Sequence, residues 1–239
     1  MIPLENALDE LSRIETFTAL ETFVSDLRAA YQVANIVLHV MSSPVTKTRH
    51  PVVIATYEKN WVERYTEQDY FSVDPVVRVG AKSFLPLDWR DIDRSNERMR
   101  RLFKEAESYG VGTQGVTLSI KGPGRGKSLA TLTSYEPEHT WSRRRMRLLS
   151  DFHILSHFLF DRSLALAGFG LQQRSKLSPR EHQCLELLAR GSVPKKIAYE
   201  LDLSIKTVRL YLTTAKLKLS APNINAAIAL AVRDEIILV

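Results

Sequence analysis

The stretch KKIAYELDLSIKTVRLYL, residues 195–212, decides how the carboxy-terminal quarter of the chain folds. Apolar Ile197, Ala198, Leu201, Leu203 and Val208 fall where two short helices meeting at a tight turn would bury them, and the small Ala198 lets the two backbones approach. Ser204 is the natural N-cap of the second helix. That helix would then expose Lys206, Thr207, Arg209, Leu210, Thr213 and Lys216. A cation or hydroxyl near the start of such a helix can reach base edges in a DNA groove, while lysines farther out meet phosphates. Arg209 is the expected base reader, and Lys195 and Lys196 complete the expected DNA-facing set. The same pattern also describes an ordinary helical hairpin with a solvated basic face, so the surrounding chain has to decide.

Immediately upstream, SPRE at residues 178–181 has a capping serine, a proline at the first helical position and a glutamate closing a capping box. The helix it starts runs through CLELLAR and stops at Gly191. From Arg174 to Val239 there are 11 Lys and Arg against 6 Asp and Glu, while the rest of the chain is nearly balanced at 22 against 21. Excess positive charge concentrated on a small helical segment points to a polyanion partner. Helix-turn-helix spacing, local charge and a scaffold helix together favour double-stranded DNA.

Farther upstream, AGFGLQQRSK at residues 167–176 mixes glycine with polar residues and reads as a linker. It divides the 239 residues into a first domain, 1–166, and a second, 177–239. With 44% apolar residues, the larger part can bury a substantial core. Helical spacing runs from about Leu4 to Tyr31, and the β-branched runs NIVLHVMSS and PVVIATY read as strands on either side of a turn. EKNWVERYTEQ and DPVVRVGAK read as short helices, and SNERMRRLFKEAESYG as a longer one ending at Gly110. GVTLSI and SLATLTS form a strand pair around KGPGRGK, and a long helix, Thr140 to Leu166, closes the domain. The expected fold is therefore α+β: an α/β/α sandwich with a central antiparallel sheet, followed by an all-α four-helix helix-turn-helix domain. On the closing helix, Leu148, Phe152, Leu155 and Leu159 form one apolar stripe, and Ile154 and Phe158 begin another that could face a second subunit. Arg143, Arg144, Arg145 and Arg147 read as a solvated face.

Several function classes fall away. No apolar run approaches the ~20 residues needed to cross a bilayer, so no membrane partner is expected. The acid-dotted amino terminus lacks the pattern of a secretory signal, and the single cysteine, Cys184, fits a reducing compartment, so a cytoplasmic protein is expected. GPGRGKS, residues 122–128, resembles a phosphate-binding loop but has one residue too few between its glycines and lies between two strands, so it reads as a hairpin turn. No catalytic constellation and no metal-ligand spacing stand out, and neither an enzyme activity nor a cofactor or metal is expected.

What remains is YEKNWVERYTEQDYFSVDP, residues 57–75, which packs five aromatic rings and an acid before proline into one short stretch. Such rings are commonly core, and an acid before proline commonly starts a turn or helix. Here a resemblance adds to the residues. Glu181, Leu185 and Gly191 followed by KKIAYELDLSIKTVRLYL resemble the DNA-binding domain of LuxR-type regulators. Trp61, Tyr65, Asp74, Pro75, Trp89 and Gly115 resemble, in order and spacing, the autoinducer-binding domain of LuxR-type quorum-sensing regulators. The chain departs from that pattern between Gly110 and Gly115, where four residues intervene instead of three, and at Ser119, where the family has proline.

The resemblance implies an N-acyl-homoserine lactone as ligand, held in a closed cavity on one side of the sheet. It implies that Trp61 donates its indole N–H to the lactone carbonyl, that Asp74 accepts the ligand amide N–H, and that Tyr57 donates to the acyl carbonyl. Tyr65 and Trp89 would wall the head group, and Thr131 would lie beside the acyl chain's third carbon. A homodimer on operator DNA is implied too, with RNA polymerase as a further partner. The chemistry is coherent, because an amide and a lactone removed from water each lose hydrogen bonds costing ~1–3 kcal/mol unless one acceptor and two donors replace them. Two alternatives stay open at this level: the same regulator responding to a different small molecule, or a receiver-type regulator switched by phosphorylation, which would require a parallel sheet.

Overall fold

The computed structural model describes residues 3–42, 52–122, 126–168 and 177–239. Among these residues two compact units separate, one taking in the described residues up to 168 and one taking in residues 177–239. Most of the linker predicted at 167–176 lies outside the described residues.

The first unit is built on a five-stranded sheet in the order β2-β1-β5-β4-β3, every neighbouring pair antiparallel. The strands are β1 (Asn35–Ser42), β2 (Val52–Ala55), β3 (Leu87–Asp88), β4 (Gln114–Lys121) and β5 (Lys127–Ser134). This pairing excludes the receiver-type alternative, whose strands would run parallel. Gly122 donates its N–H to the Gly126 carbonyl at 2.8 Å between β4 and β5, and Lys127 and Ser128 open β5, so among the described residues no phosphate-cradling helix starts here; residues 123–125 lie outside the described residues.

Strand periodicity assigns the two faces of the sheet. Ile36, Leu38, Val40, Val116, Leu118, Ile120, Ala130 and Leu132 point to one face, where they are buried against α1 (Leu4–Ser12), α2 (Phe17–Tyr31) and α6 (Glu138–Leu166). Val37, His39, Leu129 and Thr131 alternate with them and face α3 (Lys59–Glu67), α4 (Pro75–Gly80) and α5 (Glu97–Ser108). The first face packs solidly; the second encloses a cavity.

Two sequence expectations need correction. The helical run from Leu4 to Tyr31 is two helices, because Thr16 caps α2 by accepting the Ala19 N–H at 3.2 Å and buried Ile14 anchors the turn. Arg162, from the far end of the chain segment, takes the last carbonyls of α1 at Leu11 (3.2 Å) and Ser12. The second correction concerns the α6 arginines. Arg143 and Arg147 are exposed, but Arg144 donates to the carbonyls of Tyr31 and Gln32 and pairs with Glu136 at 2.7 Å, and Arg145 pairs with Asp88. Both apolar stripes of α6 exist as expected: Leu148, Phe152, Leu155 and Leu159 are buried, whereas Ile154 is 41% and Phe158 51% exposed.

The second unit contains α7 (Pro179–Ala189), α8 (Pro194–Glu200), α9 (Ile205–Lys218) and α10 (Ile224–Arg233). The capping box at Ser178 and Glu181 is formed. Leu185, Ile197 and Val208 are fully buried at the crossing of the helices, with Ala198 beside them and Leu201 and Leu203 partly buried against the cluster. Asp202 takes a left-handed conformation (φ 53°) in the turn, and the Leu203 N–H returns to the Ala198 carbonyl at 2.8 Å. Buried Glu181 also accepts from Lys218 at 2.7 Å, which ties α7 to the end of α9. Although burial alone would raise its carboxyl, the lysine and the Ser178 N–H hold it below the ordinary value.

Candidate functional site

The cavity of about 120 Å³ lies between the second face of the sheet and helices α3, α4 and α5. By this measure it has room for on the order of ten water-sized groups. Its walls are mostly apolar, and all six ligand-site residues expected from the sequence line it: Tyr57, Trp61, Tyr65, Asp74, Trp89 and Thr131. Val53 of β2 and Val62 of α3 line it while 47% and 46% exposed, so that side forms a rim and the cavity is less closed than the resemblance implies.

Asp74 is placed by local chemistry. It caps α4, its Oδ1 accepting the Val76 N–H at 2.7 Å, with Pro75 at the first helical position. Its Oδ2 accepts the Tyr65 hydroxyl at 2.6 Å. Tyr65 is therefore more than a wall: it orients the carboxylate. Burial pushes the Asp74 carboxyl above its ordinary value, opposed by the hydrogen bonds from Tyr65 and the backbone of Val76 and Val77. Burial, and then the nearby negative charge of Asp74, push the hydroxyls of Tyr57 and Tyr65 up as well, so both phenols stay protonated donors.

Trp61 and Tyr65 lie one turn apart on α3 with ring centroids 5.6 Å apart, edge to face. Among the described residues, neither the Trp61 indole N–H nor the Tyr57 hydroxyl has a hydrogen-bond partner, although both residues border the cavity. Trp89 differs: its indole N–H donates to Thr117 Oγ1 at 3.1 Å, and Thr117 Oγ1 lies 2.9 Å from Thr131 Oγ1. Gly115 leaves the space for this ring, since a Cβ there would stand 2.3 Å from Trp89 Cδ2. Glycine at 115 is thus required by close approach, and its departure from the family spacing leaves β4 regularly paired with β5 from Gln114 to Lys121.

Three contributors escaped the sequence reading. Phe71 stacks edge to face on Tyr65 at 4.7 Å and lines the cavity. Thr117 links two wall residues. Glu105 on α5 receives Arg64 of α3 at 2.8 and 3.2 Å and Arg101 at 2.9 Å, locking the helix that carries Trp61 and Tyr65. Phe71 sits inside the aromatic-rich stretch already quoted, and Thr117 pairs across the β4–β5 register with cavity-lining Thr131. The Arg64–Glu105 pair joins residues 41 apart and left no signal.

In the second unit Lys195 and Lys196 are exposed at the head of α8, and Lys206, Arg209, Leu210 and Thr213 are exposed on α9. The Arg209 guanidinium has no hydrogen-bond or ion-pair partner among the described residues and is exposed. Thr207 is only half-exposed, with its hydroxyl 2.7 Å from Ser204 Oγ at the cap, and Lys216 is half-buried. Thr213 donates its hydroxyl to the Arg209 carbonyl at 2.9 Å. The face of α9 thus keeps a cation and a short apolar side chain foremost, and Tyr199 of α8, 91% exposed, stands near it in sequence.

Among the described residues no group of three or more His, Cys, Asp or Glu is arranged to hold a metal, and no helix is long and apolar enough to cross a membrane.

Comparison with known proteins finds two family domains in the chain. Residues 16–163 match the autoinducer binding domain, and residues 175–231 match the domain described as bacterial regulatory proteins, luxR family. The chain is 42% identical over 172 residues to the transcriptional activator protein RaiR of Rhizobium etli, covering 72% of this chain and 71% of that one. It is 31% identical over 186 residues to the quorum-sensing regulator RhlR of Pseudomonas aeruginosa, covering 75% and 73%. A solved structure of SdiA in complex with octanoyl-rac-glycerol shares the fold, with a TM-score of 0.66 at 21% identity over 97% of this chain and 93% of that one. Cavity, reading helix and both family matches converge on one assignment: the chain belongs to the LuxR family of bacterial transcription regulators, with an autoinducer-binding domain ahead of its helix-turn-helix module.

Proposed function

We propose that the cavity holds an N-acyl-homoserine lactone and that its occupancy sets the affinity of the second unit for operator DNA. The observation that carries this reading is the convergence of one buried acceptor, Asp74, and two donors without partners, Tyr57 and Trp61, on an otherwise apolar cavity. That set complements one amide N–H and two carbonyls. Asp74 accepts the ligand amide, Trp61 donates to the lactone carbonyl, and Tyr57 donates to the acyl carbonyl. Tyr65 holds the Asp74 carboxylate in line, Trp89 walls the head group, and Thr131 lies along the acyl chain.

Ligand binding completes the core of a ligand-binding domain, residues 1–166, joined through residues 167–176 to a DNA-binding domain, 177–239. At one hundred times its Kd a ligand adds ~2.7 kcal/mol to the stability of the state it binds. The exposed stripe of Ile154 and Phe158 on α6 supports a homodimer, whose two reading helices would enter half-sites about one helical turn, ~34 Å, apart. Arg209 reads bases; Leu210, Thr207 and Thr213 contact the groove; Lys195, Lys196, Lys206 and Lys216 meet phosphates. RNA polymerase is the expected further partner, and the cytoplasm the expected compartment.

Mass spectrometry of an organic extract of the purified protein, made in a lactone-producing host, tests the ligand class and chain length together. A homoserine lactone is expected in the extract of the wild type and absent from that of Asp74→Asn. Recovery of a ligand without a lactone head group, retained by Asp74→Asn, would overturn the assignment.

A further inference from the structure

Trp89 walls the cavity, but the backbone that carries it has little of its own to hold it. β3 is two residues long and lies at the edge of the sheet, and among the described residues it pairs with β4 alone, Leu87 opposite Thr117 and Asp88 opposite Val116. The rest of its seat comes from α6. Buried Asp88 accepts the Arg90 backbone N–H at 3.0 Å through Oδ1 and the Arg90 guanidinium at 2.8 and 3.1 Å through Oδ2, and the same Oδ2 receives Arg145 of α6. Arg90 in turn reaches Glu138 and Ser142 of α6. Glu138, Ser142 and Arg145 recur at i, i+4 and i+7, which places them on one face of that helix. The neighbours of Trp89 on either side in the chain are thus tied to the first turns of α6. The side chains of Asp88 and Arg145 are 12% and 18% exposed, so this pair is shielded from solvent screening, whereas Arg90 and Glu138, at 41% and 45%, are open to it.

From this geometry we infer that Asp88 and Arg145 form a latch: they position Trp89 for the ligand and couple occupancy of the cavity to α6. The inference rests on the proposed lactone reading and supplies its route. A Trp89 already seated by the latch does not have to be ordered when the ligand arrives, which improves binding. By linkage, a ligand packed on Trp89 favours the latched start of α6 by the same factor. That helix is continuous from Glu138 to Leu166 and carries exposed Ile154 and Phe158, so one stiff element joins the latch to the stripe proposed for a second subunit. Arg145, which reads from the sequence as part of a solvated face, is in this arrangement a positioning residue.

The test uses the full-length protein with N-octanoyl-homoserine lactone as probe, affinity being taken from calorimetry and backbone protection from hydrogen exchange. In the wild type, saturating probe should slow exchange over residues 138–147 by about threefold or more. No change there would overturn the inference, and that measurement needs no variant to fold. Asp88→Asn and Arg145→Gln should each weaken probe binding about fivefold, with the double variant no weaker than either, and each should lose the protection over 138–147 while still binding the probe. A merely structural pair would shift the unfolding of the ligand-free protein and leave the affinity of the folded protein alone. Unchanged affinity in the single variants, or additive losses in the double one, would therefore overturn the latch and leave the lactone reading standing. Failure of the wild type to bind the probe would overturn both.

Discussion

The cavity and the reading helix both present polar groups without protein partners, but they are made in opposite ways. In the second unit the unpartnered group, Arg209, points outward from a helix whose cap, Ser204, and whose buried residues, Val208 and Leu212, lie within a few positions of it. In the first unit the unpartnered groups point inward, and the chemistry comes from five places in the chain: the segment after β2, α3, the start of α4, the turn after β3, and strand β5. An outward site can be assembled by local sequence, because water satisfies what the protein does not. An inward site cannot, because every buried polar atom needs either a protein partner or a ligand.

That difference has measurable consequences. The largest effect is expected for Gly115→Val. Any side chain at 115 collides with the Trp89 ring, so the variant should lose about 3 kcal/mol in chemical unfolding of the first unit together with ligand response, while unfolding of the second unit in the same chain is unchanged. Asp74→Asn should weaken lactone binding by about 2 kcal/mol, roughly thirtyfold, while leaving stability unchanged or slightly raised, since the carboxylate it removes is buried. A large loss of stability in this variant would mean that Asp74 serves the helix cap more than the ligand. Arg209→Ala should cost ~1–3 kcal/mol of operator discrimination in gel-shift or anisotropy titrations, with stability within ~0.5 kcal/mol of the wild type. Retained discrimination would move base reading to a neighbour.

Two pH effects are smaller. Asp74 has a raised folded-state pKa and must be ionised to accept the ligand amide strongly. Lactone affinity should therefore fall as pH drops through that raised value, and Asp74→Asn should flatten the profile. Glu105 runs the other way. The two arginines, Arg64 first, hold its carboxyl down to about 2 against the opposing pull of burial, so its contribution to stability is present above the ordinary carboxylate range and is lost as pH falls from about 4.5 toward 2. Glu105→Gln should shift the acid unfolding of the first unit upward in pH and leave that of the second unaltered.

Much of the architecture was legible because it is local. The Ser178 capping box, the tight turn before Ser204, the strand runs of β1 and β5 and the acid-before-proline pair at Asp74 and Pro75 each depend on residues a few positions apart. The break at Thr16 was missed because the apolar spacing continues across it, and Arg162, which takes the Leu11 and Ser12 carbonyls at the end of α1, comes from distant α6. The α6 arginines were misread for the same reason: Arg144 and Arg145 find their partners at Tyr31 and Asp88, distant in sequence.

Sequence by itself determined most of the elements and where the helix-turn-helix lies, since periodicity, capping and charge act over a few residues, while the residues expected at the cavity came from the resemblance to the autoinducer-binding domain. Tertiary structure alone decided that Tyr65 grips Asp74, that Gly115 makes room for Trp89 and that Thr117 bridges Trp89 to Thr131. Those contacts depend on strand register and helix docking. A single hydrogen bond or a single Cβ separates a working cavity from a filled core, and neither is written in local spacing.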